Sequence, residues 1–80
     1  MIVSVIGMGY IGLPTSAVIA SKGISVVGVD INQDIVDIIN QGKIHILEPE
    51  LDILVKKAVK DHYLKAIVKT EKADVFVITV

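Results

Sequence analysis

The fold of this 80-residue chain is decided by the stretch Val3–Pro14, which reads V-S-V-I-G-M-G-Y-I-G-L-P. It begins as a run rich in β-branched residues, which is the composition of a buried strand. Three glycines at the spacing G-x-G-x-x-G then interrupt the run, and a helix-like segment follows. Pro14 suits the first turn of that helix, where a backbone N–H has no intrahelical partner. The stretch therefore predicts a strand, a tight turn and a helix in direct succession.

The three glycines, Gly7, Gly9 and Gly12, have separate physical roles. Gly7 lets the chain turn sharply out of the strand. Gly9 has no Cβ atom, so a pyrophosphate can approach the backbone, and Gly12 lets the helix pack closely on the strand. The phosphate would lie over free N–H groups at the helix N-terminus, and Tyr10 and Ile11 are the expected donors. The Tyr10 ring either covers the pyrophosphate or makes an ordinary hydrophobic contact.

A second predicted strand, Ile24–Val29, ends at Asp30, 18 residues after Gly12. A carboxylate at about this spacing hydrogen-bonds the adenosine ribose hydroxyls in dinucleotide-binding sites. Asp30 would repel the 2′-phosphate of NADP, and no Lys or Arg lies between Ile24 and Gly42 to neutralise it. The charge pattern therefore favours NAD over NADP, while FAD, which uses the same half-fold, stays open. The alternatives are that Asp30 only caps the next helix and that the glycine turn binds nothing.

The rest of the chain alternates between strand and helix patterns. The predicted elements are strands at Ile2–Ile6, Ile24–Val29, Ala66–Val68 and Val75–Val80, and helices at about Tyr10–Lys22, at Gln33–Gln41, and from Glu48 onward with Pro49 in the first turn. Asn32 is a good N-cap for the second helix, and Gly23 and Gly42 end the first two. Right-handed crossovers give a parallel sheet of strand order 3-2-1-4. The predicted fold class is α/β, a Rossmann-type parallel sheet with helices.

The link between the third and fourth strands, Lys69–Asp74, is too short for a covering helix. One face of the sheet is then poorly covered, and the fourth strand forms an apolar edge. We therefore expect these residues to be the truncated N-terminal part of a larger, doubly wound NAD-binding domain, with the remaining domains of the parent protein absent. Alone, this piece is expected to be inactive and prone to aggregate through its bare face.

Composition excludes several classes of protein. Apolar residues make up 52% of the chain, and the formal net charge is −1. Arg is absent and no basic stripe exists, so electrostatic binding of nucleic acid is not expected. Cys is absent, and with it any disulfide, thiolate metal site or Cys nucleophile in this chain. A basic leader and an apolar run of membrane-spanning length are also lacking, which predicts a cytoplasmic chain without a membrane partner.

The sequence contains no recognisable catalytic constellation or metal-ligand spacing. His45 lies between Ile44 and Ile46, and we interpret it as a loop or packed histidine rather than a general base. His62 lies near a predicted helix end, where a solvated histidine is the ordinary interpretation. The predicted site is therefore a cofactor site, with no catalytic residue and no metal ligand assigned.

Three segments carry a more specific resemblance. They are V-I-G-M-G-Y-I-G-L-P-T at Val5–Thr15, G-V-D-I-N at Gly28–Asn32 and I-H-I-L-E-P-E-L at Ile44–Leu51. Together they resemble the UDP-glucose/GDP-mannose dehydrogenase family, and the resemblance covers essentially the whole chain. The connector that contains His45 most resembles the members that act on UDP-N-acetyl-D-mannosamine.

The resemblance implies a two-step oxidation of the sugar C6 hydroxyl to an aldehyde and then to a carboxylate, which consumes two NAD. It also implies that a catalytic Cys, a supporting Lys and the nucleotide-sugar site lie beyond Val80, in downstream domains of a homo-oligomeric protein. By position, the residues that match the family's cofactor-binding residues are Gly7, Gly9, Tyr10, Ile11, Gly12 and Asp30. A UDP-glucose or GDP-mannose 6-dehydrogenase and an NAD-sensing domain without catalysis are the alternatives.

Overall fold

The computed structural model describes residues 1–79, which form a four-stranded sheet with three helices. The strands are β1 (Ile2–Ile6), β2 (Ser25–Val29), β3 (Leu64–Ile67) and β4 (Val75–Ile78), and the helices are α1 (Gly12–Ser21), α2 (Gln33–Asn40) and α3 (Leu51–Lys60). All three strand pairs are parallel, and the order across the sheet is β3-β2-β1-β4. The predicted α/β class and the 3-2-1-4 order are confirmed.

One buried cluster joins the three helices to a single face of the sheet. The strand register pairs Val3 with Val26 and Val5 with Gly28, so these residues share that face. The buried helix residues packed there are Leu13, Ala17 and Ala20 of α1, Val36 and Ile39 of α2, and Leu51, Val55 and Ala58 of α3. Because α1 contributes two alanines, it lies close to the sheet and brings its N-terminus to the carboxyl end of β1.

The opposite face of the sheet is bare around β4. On this face the register pairs Ser4 with Phe76 and Ile6 with Ile78. Phe76 is 51% exposed and Ile78 is 75% exposed. The segment that links β3 to β4 contains no helix in the described part of the chain. The expectation of a poorly covered face and an apolar edge strand is therefore confirmed.

At Ala66, the backbone groups on the outer edge of β3 form hydrogen bonds with a side chain from α2. Asn40 Nδ2 donates to the Ala66 carbonyl oxygen at 2.9 Å, and the Ala66 N–H donates to Asn40 Oδ1 at 2.8 Å. The Asn40 amide thus takes the place of the peptide group of a further strand. Because unpaired edge groups invite pairing with another chain, this contact protects the edge.

The predicted start of the third helix is wrong by three residues. Helix α3 begins at Leu51, and Glu50 before it has a left-handed backbone with φ 66°. The Leu51 N–H donates to the Glu48 carbonyl oxygen at 3.2 Å, which closes a turn around Pro49. Pro49 therefore lies in that turn and not in the first turn of the helix.

The third strand also begins earlier than predicted, at Leu64 instead of Ala66. Leu64 and Ala66 are buried on the helix side while Lys65 between them is exposed, which is the alternation of a half-buried strand. The predicted end of the fourth strand at Val80 lies outside the described residues. Asn32 caps α2 as predicted, because its Oδ1 accepts the Asp34 N–H at 2.9 Å.

Within residues 1–79, none of the helices combines the length and the apolar character that a membrane crossing requires.

Candidate cofactor site

The glycine turn connects the carboxyl end of β1 to α1. Gly7 has φ 95°, a conformation that L side chains rarely adopt, and its N–H donates to the Val29 carbonyl oxygen at 2.8 Å. A Cβ atom at Gly7 would lie 2.6 Å from the Thr79 carbonyl oxygen. The turn therefore requires glycine here for both its conformation and its packing.

Gly12 is the point at which α1 touches the turn. A Cβ atom there would overlap the Gly7 carbonyl oxygen and would lie 2.9 Å from Thr79 Oγ1. The obstructing oxygen belongs to backbone, so it cannot swing aside as a flexible side chain would. Gly12 thus lets the helix pack directly on the turn that follows β1, whereas the sequence predicts close packing on the strand itself.

Gly9 differs from the other two glycines of the motif. A Cβ atom at Gly9 would meet no atom of the described chain within 4 Å, and Gly9 does not have a positive φ. Neither the packing nor the backbone conformation of residues 1–79 requires a glycine at this position. The open space over Gly9 leaves room for a group from outside the chain to approach the backbone.

Tyr10 and Ile11 lie immediately before α1, and Ile11 is its N-cap residue. Within residues 1–79, the backbone N–H groups of Tyr10, Ile11 and Gly12 donate no hydrogen bond. No side chain caps this end of α1, and its first turn contains no acidic residue. Free N–H groups at the positive end of a helix dipole form a binding site for an anionic group such as a phosphate.

Asp30 follows β2 and lies beside the turn. Its Oδ2 accepts the Met8 N–H at 3.1 Å, and its Oδ1 accepts the Asn32 N–H at 2.9 Å. The backbone N–H of Asp30 donates to the Ile67 carbonyl oxygen at 3.1 Å, which fixes the residue against β3. A carboxylate offers about four lone-pair positions, so Asp30 can still accept hydrogen bonds from two neighbouring hydroxyls.

A shallow depression joins the turn to the Asp30 carboxylate. It is lined by Ile6, Gly7, Val29, Asp30 and Ile31. This depression lies at the carboxyl ends of β1 and β2, which is the edge at which ligands bind to open α/β sheets. Of the predicted site residues, Gly7 and Asp30 line this depression, while Gly9, Tyr10, Ile11 and Gly12 follow Met8, whose N–H donates to the Asp30 carboxylate. Their donor and acceptor groups suit a dinucleotide, with anion donors on one side and an acceptor for hydroxyls on the other.

Two residues that sequence reasoning did not assign, Met8 and Thr79, hold the turn from below. The Met8 side chain is completely buried. The Thr79 hydroxyl donates to the Gly7 carbonyl oxygen at 2.7 Å and lies 3.1 Å from that of Ile6. The sequence does offer one signal for Met8. A glycine in the middle of an apolar strand, such as Gly28, indicates that another group approaches the strand closely.

His45 lies away from this depression, in the connector between α2 and α3. Both of its ring nitrogens are buried and have no hydrogen-bond partner in the part of the chain that the structure describes. No three His, Cys, Asp or Glu side chains among residues 1–79 come together as a metal site would require.

Comparison with known proteins shows the family of the chain. A family model described as the NAD-binding domain of the UDP-glucose/GDP-mannose dehydrogenase family matches residues 1–80. A UDP-N-acetyl-D-mannosamine dehydrogenase of Campylobacter jejuni is 67% identical over 98% of the chain, which spans 19% of that protein. An NDP-N-acetyl-D-galactosaminuronic acid dehydrogenase of Ralstonia nicotianae is 59% identical over 98% of the chain, which spans 18% of that protein.

Among solved structures, the UDP-N-acetyl-mannosamine dehydrogenase of Staphylococcus aureus superposes with a TM-score of 0.96 at 42% identity. That match covers 100% of this chain and 19% of the other. The chain thus spans about a fifth of the length of the relatives it matches. The family match covers every residue, and the fold and the glycine turn agree with it. The chain belongs to the UDP-glucose/GDP-mannose dehydrogenase family, whose NAD-binding domain model it matches, and its cofactor is NAD.

Proposed function

We propose that this chain is the N-terminal part of the NAD-binding domain of a nucleotide-sugar 6-dehydrogenase whose substrate is UDP-N-acetyl-D-mannosamine. Two features that lie together at one edge of the sheet support the proposed cofactor site. One is the open space over Gly9 beside the free N–H groups of Tyr10 and Ile11. The other is the Asp30 carboxylate, which is fixed in place and retains acceptor capacity.

The roles follow from these donors and acceptors. The N–H groups of Tyr10 and Ile11 bind the pyrophosphate of NAD, and Gly9 leaves the space that the pyrophosphate occupies. Gly7 and Gly12 fix the turn and the helix so that these N–H groups converge. Asp30 accepts hydrogen bonds from the adenosine ribose hydroxyls. A 2′-phosphate in their place would put two negative charges side by side, which makes NADP a poor ligand.

NAD held by Tyr10, Ile11 and Asp30 would supply the hydride acceptor for the sugar carbon. Oxidation of the C6 alcohol to the aldehyde uses one NAD and releases one proton. Oxidation of the aldehyde to the carboxylic acid uses one water molecule and a second NAD and releases a second proton. The sugar thus loses four electrons, and two NADH are formed. Residues 1–80 serve both steps in the same way, by binding and orienting the cofactor, while the substrate is bound by downstream domains of a homo-oligomeric protein.

The choice of sugar rests on the connector Ile44–Leu51, which most resembles the members that act on UDP-N-acetyl-D-mannosamine, and on a relative of that activity at 67% identity. Overall identity alone does not separate the two sugars, because the UDP-N-acetyl-D-mannosamine dehydrogenases of Yersinia pestis and Escherichia coli are 55% and 54% identical, below the 59% of the NDP-N-acetyl-D-galactosaminuronic acid relative. The second candidate is an NDP-N-acetyl-D-galactosaminuronic acid dehydrogenase, which the 59% identical relative favours. Both candidates oxidise an N-acetylated nucleotide sugar, so they share the cofactor site and differ in the sugar site.

The experiment titrates the intact protein with NAD and NADP by calorimetry and then follows NADH formation with different nucleotide sugars. We expect NAD to bind more tightly than NADP and two NADH to form for each UDP-N-acetyl-D-mannosamine consumed. Faster turnover of the N-acetylgalactosamine nucleotide would select the second candidate. Binding of NAD without turnover of any nucleotide sugar would contradict the enzyme assignment in favour of an NAD-sensing domain.

A further inference from the structure

The second residue of the glycine motif, Met8, has a side chain that is 0% exposed and belongs to the main core cluster. Its sulfur lies 3.4 Å from the hydroxyl of Ser16 in α1, and that hydroxyl donates to the Gly12 carbonyl oxygen at 2.7 Å. The Met8 side chain therefore fills the space below the turn, between α1 and the sheet.

Gly28 in β2 provides the room for Met8. A Cβ atom at Gly28 would overlap the Met8 Cε atom and would lie 2.7 Å from its sulfur and 3.1 Å from its Cγ. Gly28 has no positive φ, so its backbone conformation does not require glycine. A glycine in the interior of a strand weakens the strand unless another group approaches closely. The Met8 side chain is that group.

Met8 is thus attached to β2 at two places. Its side chain lies against Gly28, and its N–H donates to the carboxylate of Asp30, the residue directly after β2. Gly9, Tyr10 and Ile11 follow Met8 directly, and their backbone direction depends on where Met8 is held. Hydrogen bonds weaken steeply as their angle departs from linear, so a small displacement of Met8 changes how well the N–H groups bind an anion.

We propose that Met8 and Gly28 form a size-matched pair that sets the position of the glycine turn, which makes Met8 a positioning residue for the NAD pyrophosphate. The inference rests on the proposed NAD site at Tyr10 and Ile11. Both members of the pair are buried, so the pair would act on the cofactor through the turn and not by contact. The fit between their side chains, rather than either side chain alone, determines how well the site is formed.

The test is a double-mutant cycle in the intact protein, with Met8→Val, Gly28→Ala and the double variant. Gly28→Ala places a methyl group against the flexible end of the Met8 side chain, which is completely buried and must find other room within the core. Met8→Val removes the part of the side chain that reaches Gly28. The double variant keeps the same total number of side-chain heavy atoms at the two positions. We expect each single variant to weaken NAD binding about tenfold, the scale of a core overpacking or cavity defect, and the double variant to return most of that loss.

Calorimetry measures the NAD dissociation constant below the unfolding temperature of each variant, and steady-state kinetics at saturating sugar separates KM for NAD from kcat. A positioning role raises KM for NAD and leaves kcat at saturating NAD nearly unchanged. Additive losses of NAD affinity in the double variant, or wild-type NAD affinity in either single variant, would overturn the proposal.

If Gly28→Ala does not fold, Met8→Val and the volume-conserving Met8→Leu are compared instead. Met8→Leu should then bind NAD more tightly than Met8→Val, and equal affinities would overturn the inference. Failure of the wild-type protein to bind NAD would instead overturn the proposed cofactor site.

Discussion

The glycines of one motif should respond differently to the same substitution, Gly9→Ala and Gly12→Ala. At Gly12 the new methyl group would overlap the backbone oxygen of Gly7, so α1 or the turn must move. Overpacking typically costs 1–3 kcal/mol, and a clash with backbone places this variant at about 3 kcal/mol or more of lost stability. At Gly9 the methyl group meets nothing within 4 Å. The stability of that variant should stay within about 0.5 kcal/mol of wild type.

Gly9→Ala should weaken NAD binding even though it leaves the fold intact. The methyl group of Gly9→Ala occupies the space proposed for the pyrophosphate and should remove hydrogen bonds to a charged group, which are worth about 1.5–3 kcal/mol. We therefore expect a loss of NAD affinity of about tenfold to a hundredfold in a fully stable protein. Denaturant unfolding and NAD calorimetry on the two variants measure both quantities. Wild-type affinity in Gly9→Ala would refute the assignment of the space over Gly9 to the pyrophosphate.

Three further predictions concern other parts of the chain. Asp30→Ala should weaken the binding of NAD by roughly 1.5–3 kcal/mol, measured by calorimetry. The control Asp37→Ala, at an exposed position, should leave NAD affinity unchanged. Equal NAD affinity of the two variants would exclude Asp30 as the ribose ligand. Asn40→Ala removes both hydrogen bonds to the edge of β3 and should lower the free energy of unfolding by about 1–3 kcal/mol. Gln41→Ala is the neutral control. An unchanged denaturation midpoint in Asn40→Ala would contradict this prediction. Residues 1–80 expressed alone should self-associate through the bare face, and Phe76→Lys should reduce that association in sedimentation velocity, so unchanged association would place the contact elsewhere.

The strand, turn and helix of Val3–Pro14 could be predicted because their signals are local. The β-branched run, the glycine spacing and Pro14 all lie within a dozen residues. Asn32 likewise indicates the start of α2, since its side chain accepts hydrogen bonds from N–H groups only two and three residues further on. The strand order follows from the handedness of crossovers, which depends on the order of the elements and not on side-chain detail.

Contacts between distant segments could not be predicted in this way. Thr79 supports Gly7 across 72 residues, and no local pattern marks it. The space for Met8 depends on Gly28, whose meaning appears only when β1 and β2 are side by side. The start of α3 was predicted wrongly for a different reason, because Glu50 adopts a positive φ that non-glycine residues rarely take. Pro49 and the neighbouring acids resemble a helix start, although they form the turn before it.

A crystal structure of the intact protein with NAD would show where the dinucleotide binds. We expect pyrophosphate oxygens within hydrogen-bond distance, about 2.7–3.2 Å, of the Tyr10 and Ile11 nitrogens. We also expect the adenosine ribose hydroxyls at that distance from the Asp30 carboxylate. A pyrophosphate bound away from the glycine turn, or an Asp30 carboxylate turned away from the ribose, would contradict the proposed cofactor site.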